Sequence, residues 1–142
     1  MRLVAKTLLI VGLVVIASGC GEKGLGLVPV SGKVTFAGGA PPAEGVITFT
    51  PIKVQEGLPS RPGTGAFDKQ GDFQVASFKP GDGLLPGTYY PKVTCWMGKP
   101  NSSDPSSFER LNYVPKDFEA PPVVVDASKG KVEIAIDVPK KK

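Results

Sequence analysis

Thr64-Gly65-Ala66-Phe67, then Asp68-Lys69-Gln70-Gly71, then Asp72-Phe73-Gln74-Val75-Ala76-Ser77-Phe78 is a pair of short alternating runs joined by four turn residues. A side-chain period of two puts Phe67 on one face and, across the turn, Phe73 and Val75 on the same face. Asp68 can accept hydrogen bonds from the backbone just beyond it, and Gly71 tolerates a positive φ, so the segment reads as a hairpin. Two strands alone bury too little to be stable in water. The hairpin therefore predicts more strands on either side of it.

Upstream, Val28, Val30, Gly32, Val34 and Phe36 alternate with Pro29, Ser31, Lys33 and Thr35, the pattern of a half-buried strand. Gly38-Gly39-Ala40-Pro41-Pro42 ends it. Val46 to Thr50 is rich in β-branched and aromatic residues and predicts a second strand. Downstream, Lys79 to Gly87 is a compact Gly/Pro loop and Thr88 to Trp96 a long strand. In that strand Tyr89, Pro91, Val93 and Cys95 share one face, and Tyr90, Lys92, Thr94 and Trp96 the other. Pro91 has no N–H to give a ladder, which predicts a sheet edge or a bulge at that point.

Met97 to Pro122 is irregular. Within it Asp104-Pro105 precedes Ser106 to Leu111, which predicts one helical turn with Asp104 as cap and Pro105 at the first position. Val123 to Asp126 and then Val132 to Val138 supply the last two strands. Seven short strands, Gly/Pro turns and no sustained helical period predict an all-β chain, an antiparallel seven-strand β-sandwich. Its core is expected to hold Val30, Val34, Phe36, Ile47, Phe49, Phe67, Phe73, Val75, Tyr89, Val93, Val132, Ile134 and Ile136. A chain of 142 residues leaves room for one such core.

The N-terminus reads as an address. Arg2 and Lys6 precede the apolar run Leu8 to Ile16, which is shorter than the roughly 20 residues needed to span a bilayer. Ala17-Ser18-Gly19-Cys20 follows, small residues before a cysteine, as in a bacterial lipobox, with Ala17 where Leu is commonest. An ordinary secretory signal or an uncleaved anchor are the competing readings. The organisation expected is residues 1–19 as a lipoprotein signal peptide, 20–26 as a tether, 27–139 as the β-sandwich and 140–142 as a basic tail. Cys20 is the expected lipidation site, and several acyl chains on one residue would give stable membrane anchoring. The protein is then an extracytoplasmic lipoprotein, facing the periplasm or the cell surface.

Removing Arg2 and Lys6 with the leader lowers the net charge of +4 by two. Only Lys140-Lys141-Lys142 is a basic cluster, and it reads as a solvated tail, so nucleic acid is not an expected partner. The chain has no His, which removes Ser-His-Asp and Cys-His chemistry and His-ligated metals, and neither cofactor nor metal is expected. With Cys20 acylated, Cys95 has no disulfide partner and reads as a small buried apolar residue. Asp68 and Asp72 around Gly71, and Asp82 between Gly81 and Gly83, read as turn chemistry in preference to calcium ligands.

Three segments together carry a resemblance. They are Val30-Ser31-Gly32-Lys33-Val34-Thr35-Phe36 leading to Gly45-Val46-Ile47-Thr48-Phe49-Thr50-Pro51; the hairpin above; and Phe78-Lys79-Pro80-Gly81-Asp82-Gly83 leading into Leu85-Pro86-Gly87-Thr88-Tyr89. They resemble small planctomycete-type lipoproteins, which are similar to carboxypeptidase regulatory-like domains. The resemblance implies a transthyretin-like (prealbumin-like, Ig-like) sandwich and no established activity. Tyr90-Pro91 and Pro121-Pro122 depart from the pattern.

Tyr90, Trp96, Phe108 and Tyr113 are the candidate recognition residues. Tyr90 and Trp96 are out of phase with the core face, and Phe108 and Tyr113 lie in the long loop. Aromatic side chains at a strand edge suit sugar or peptide contact, with Arg110 and Lys116 adding hydrogen bonds. Against this stands burial of the same rings under the loop, which then only shields a sheet edge. Three function classes follow: a non-catalytic structural or protein-interaction module of the cell envelope; a carbohydrate- or peptide-binding module using the 97–122 loop; and an enzyme. Transthyretin-like folds do host hydroxyisourate hydrolases, but that chemistry resembles a His-dependent site. The expected partners are the membrane, through Cys20, and an envelope protein or polysaccharide.

Overall fold

The described residues form seven strands, β1 (Val30–Phe36), β2 (Gly45–Val54), β3 (Gly63–Phe67), β4 (Asp72–Gln74), β5 (Gly87–Cys95), β6 (Val123–Val125) and β7 (Val132–Val138), with one short helix, α1 (Ser106–Arg110). The structure is a computed structural model and describes residues 24–142. The expected signal peptide (1–19), Cys20 and the start of the expected tether lie outside the described residues.

The strands form one continuous sheet in the order β6-β5-β2-β3-β4-β1-β7. Val125 and Val132 sit on its two end strands, yet only residues 126–131 join them. Laid flat, six strand spacings would separate those ends by about 29 Å. The seven Cα-to-Cα steps between them can reach at most about 25 Å, and Ala127–Lys129 shortens the path further by coiling into a 3₁₀ turn. The sheet must therefore curl, and it encloses one apolar cluster that runs from Val28 to Val138. Phe49 and Phe73 meet inside it with ring centroids 6.2 Å apart.

β1 and β7 pair in parallel, from Val30↔Val132 to Phe36↔Val138, whereas a wholly antiparallel sheet was expected. The cause is the crossing between the two ends of the sheet. β6 delivers the chain to the end of the molecule where β1 also begins, so β7 must run in the same direction as β1. The other ladders are antiparallel.

The hairpin forms as its residues require. Asp68 Oδ1 accepts from the N–H groups of Gln70 (2.9 Å) and Asp72 (3.0 Å), and Gly71 takes a φ of 89°. A Cβ on Gly71 would lie 2.0 Å from the Val34 carbonyl oxygen, so only glycine lets the turn meet β1 this closely. Asp82 likewise serves backbone: its oxygens accept from Ser77, Phe78 and Lys79 N–H at 2.7, 3.0 and 2.8 Å.

Of the expected core, Phe36, Val132 and Ile134 are only partly buried. Val132 and Ile134 sit on the end strand β7, which has a neighbour on one side only, and Ile134 lies opposite side-chain-free Gly32. Val28, Leu84, Leu85, Val114, Ala120, Val125 and Val138 join the core in addition. Cys95 is fully buried, as its place on the core face of β5 predicts.

Strand directions sort the connections into two poles. The residues leading in from 24, the 55–62 loop, the 75–86 loop and the 126–131 connection lie at one pole. The 37–44 loop, the hairpin turn, the 96–122 loop and residues 139–142 lie at the other. The nine residues of β5 separate them by about 27 Å.

Candidate functional site

By sheet order β5 is internal, but β6 pairs only with Gly87, Thr88 and Tyr89. From Tyr90 onward the outer side of β5 is a strand edge, so Pro91 sits where its missing N–H leaves no ladder broken. The bulge of β2, between Pro51 and Lys53, lies opposite Thr88 and Tyr89, just before this stretch.

The 97–122 loop returns to cover the upper part of the edge. Met97 N–H donates to Leu111 O at 2.7 Å and Tyr113 N–H to Cys95 O at 2.8 Å. Asn112 completes the clamp: its Oδ1 accepts from Cys95 N–H and from Val114 N–H, both at 3.1 Å. Val114 and Ala120 are buried and pin the loop to the core. The helical turn forms as Asp104-Pro105 predicts. Pro105 has helical dihedrals, and Asp104 Oδ1 accepts from Ser106 N–H at 3.1 Å and from its hydroxyl at 2.6 Å.

Between the edge and the loop lies an open cleft of about 600 Å³ that Tyr90, Trp96 and Phe108 share. Trp96 and Phe108 meet edge to face, with centroids 5.7 Å apart and planes at 78°. This is a favoured geometry for an aromatic pair and shapes a notch, not a flat shelf. Tyr90 and Trp96 are half-buried and Phe108 is 44% exposed, so the loop shields the strand edge without burying these rings. Asn112, Glu109, Lys116 and Glu119 supply the polar rim. Desolvation, followed by the Glu119 carboxylate beside it, pushes the Tyr90 phenol above its ordinary pKa. Lys116 and Glu109 form an exposed ion pair at 3.3 Å, weak enough to open for a ligand.

Two of the predicted residues lie elsewhere. Arg110 turns back to Asp104, 3.2 Å from its Oδ2, because the capping acid and the last-turn cation of so short a helix face each other. Tyr113 lines a separate cavity with Phe36 and Met97, because the two backbone bonds that hold 111–113 along β5 turn it away from Trp96. The C-terminal lysines are not simply solvated: Lys141 Nζ donates to the carbonyls of Glu109, Arg110 and Asn112 at 3.0, 3.4 and 2.9 Å, closing the end of α1. Sequence reasoning missed Asn112 and Glu119, since a lone Asn or Glu in a Pro-rich loop carries no periodic signal.

Burial raises the Cys95 thiol pKa, against a smaller opposing effect of its bond to the Ala43 carbonyl, so the thiol is a poor nucleophile. No cluster of three or more Asp, Glu or Cys able to share a metal ion occurs among the described residues. No helix of the described residues is long and apolar enough to cross a membrane. No family model, no curated relative and no solved structure matches the chain.

Proposed function

We propose that the protein is a lipid-anchored, non-catalytic interaction module of the cell envelope, tethered outside the cytoplasm through Cys20. In this reading the curled sheet is a transthyretin-like sandwich whose two layers run into one another. Seven strands around a single core support that assignment, with the parallel β1–β7 pair as its distinguishing feature.

One observation carries the functional reading. The chain joins the domain from the Cys20 side at one pole, whereas the cleft runs along β5 from Tyr90 and ends with Trp96 at the other, about 27 Å along the strand. A module tethered at the first pole would hold the second out to partners. The non-catalytic assignment draws on the absence of His and on the carboxylates themselves. Asp82, Asp104, Asp126 and Asp137 all accept backbone or side-chain hydrogen bonds that hold their pKa values low. Groups so engaged are structural caps and not general acids.

The cleft favours a second, narrower reading: recognition of a peptide or a carbohydrate. Its edge-to-face Trp96–Phe108 pair with polar groups at the rim suits an inserted peptide side chain better than a stacked sugar face. The test is affinity capture from envelope extracts with the full chain, wild type against Trp96→Ala. A partner retained by the wild type and lost by the variant, with the fold unchanged, is the expected outcome. Equal capture by both removes the cleft from the account.

A further inference from the structure

The cavity that holds Tyr113 is distinct from the aromatic cleft and has different chemistry. It measures about 510 Å³, within the range of small-molecule sites. Phe36, Met97 and Tyr113 supply its larger apolar side chains, and the small, exposed Ala40 and Pro42 complete its apolar lining. Lys140, Lys141 and Lys142 form its lip, and no acidic side chain lines it among the described residues.

Its walls are fixed in advance. Ala37 takes a φ of 48°, the only positive φ of a non-glycine among the described residues. Asp137 Oδ1 accepts from Thr35 Oγ1–H at 2.7 Å and Gly38 N–H at 2.9 Å, while Ala37 N–H donates to Val138 O at 2.8 Å. On the far side Lys141 is anchored by three carbonyls. Its charge therefore helps build the wall, while Lys140 and Lys142 are exposed. Met97 remains 46% exposed, an apolar side chain in a cavity that Lys140, Lys141 and Lys142 also line.

A lining that combines apolar side chains with three lysines and, among the described residues, no acidic side chain is complementary to an anionic amphiphile. We propose that this cavity binds an aliphatic carboxylate, with the alkyl chain against Phe36, Met97 and Tyr113 and the carboxylate at Lys140 and Lys142. The inference does not rest on the aromatic cleft.

The chain contains two methionines, Met1 and Met97, so selective ¹³C-methyl labelling of methionine gives a direct reporter. The full chain in phosphatidylcholine nanodiscs is titrated with octanoate, with its neutral isostere octanamide, and with acetate. Octanoate should shift the Met97 methyl saturably. Octanamide and acetate should each bind about tenfold more weakly or worse, as loss of a charge-assisted contact or of apolar burial requires. The double variant Lys140→Gln/Lys142→Gln should lose the preference of octanoate over octanamide. Ala40→Trp, at an exposed turn position, should fill the mouth and abolish the shift. A Met97 signal unmoved by octanoate overturns the proposal. So does octanamide binding as tightly as octanoate, or acetate doing so, or a charge preference that survives the double lysine variant.

Discussion

Asn112→Ala tests whether the 97–122 loop is clamped as described. Asn112 Oδ1 accepts two backbone N–H bonds, from Cys95 on β5 and Val114 in the loop, each 3.1 Å and partly buried. Alanine leaves both donors without that acceptor. At about 0.5–1.5 kcal/mol for each neutral bond, the loss is about 1–3 kcal/mol. For a domain of this size that corresponds to a fall in Tm on the order of 3–15 °C. Thermal unfolding followed by Trp96 fluorescence reads both global stability and the local state of the cleft, because Trp96 is the chain's single tryptophan. The variant should melt earlier, and its native emission should shift to the red as the loop moves off Trp96. Asn112→Asp retains an acceptor oxygen and should recover most of the loss. An Asn112→Ala protein with wild-type Tm and wild-type emission would refute the clamp, since Met97–Leu111 and Tyr113–Cys95 would then hold the loop unaided.

Phe49 is fully buried at the centre of the core, and Phe49→Ala should cost about 3–5 kcal/mol in urea unfolding. Ile134→Ala, on the partly exposed end strand, should cost clearly less, and equal losses would contradict the assigned sheet order. Burial pushes the Asp82 carboxyl pKa up, but its backbone N–H bonds outweigh that and leave it below the usual aspartate value. A carboxylate lowered in the folded state adds stability above its unfolded pKa of about 4 that is lost as pH falls through the folded value. Asp82→Asn should flatten that part of the stability–pH curve, and an unchanged acid limb would contradict the capping role. Intact-mass spectrometry of membrane-extracted protein should show cleavage before Cys20 with added acyl mass. An unmodified N-terminus at another residue would contradict the anchor.

Local chemistry made much of the fold legible. The turn at Asp68–Gly71, the cap at Asp104 and the backbone-binding role of Asp82 each depend on residues at most a few positions apart, so each could be read from spacing alone. The alternation of Tyr89, Pro91, Val93 and Cys95 against Tyr90, Thr94 and Trp96 separated core from cleft along β5. The parallel pairing of β1 with β7 was not legible, because their partners lie about a hundred positions apart and either direction satisfies the same alternation. Val114 and Ala120 were missed as core residues because single apolar positions in a Pro-rich loop have no period. Tyr90, Trp96 and Phe108 converge as the sequence suggested. Tyr113 and Arg110 diverge because backbone bonds and a local ion pair, not hydrophobic pattern, set their directions.

The central proposal is that the domain is tethered at one pole and holds Trp96 at the other. Quenching of Trp96 by phosphatidylcholine carrying a headgroup spin label tests it most directly, in vesicles that bind the wild type and not Cys20→Ala. With about 27 Å of strand between the poles, membrane-bound protein should show no more quenching than the same protein without labelled lipid. Strong, saturating quenching would place Trp96 at the bilayer surface and contradict the account.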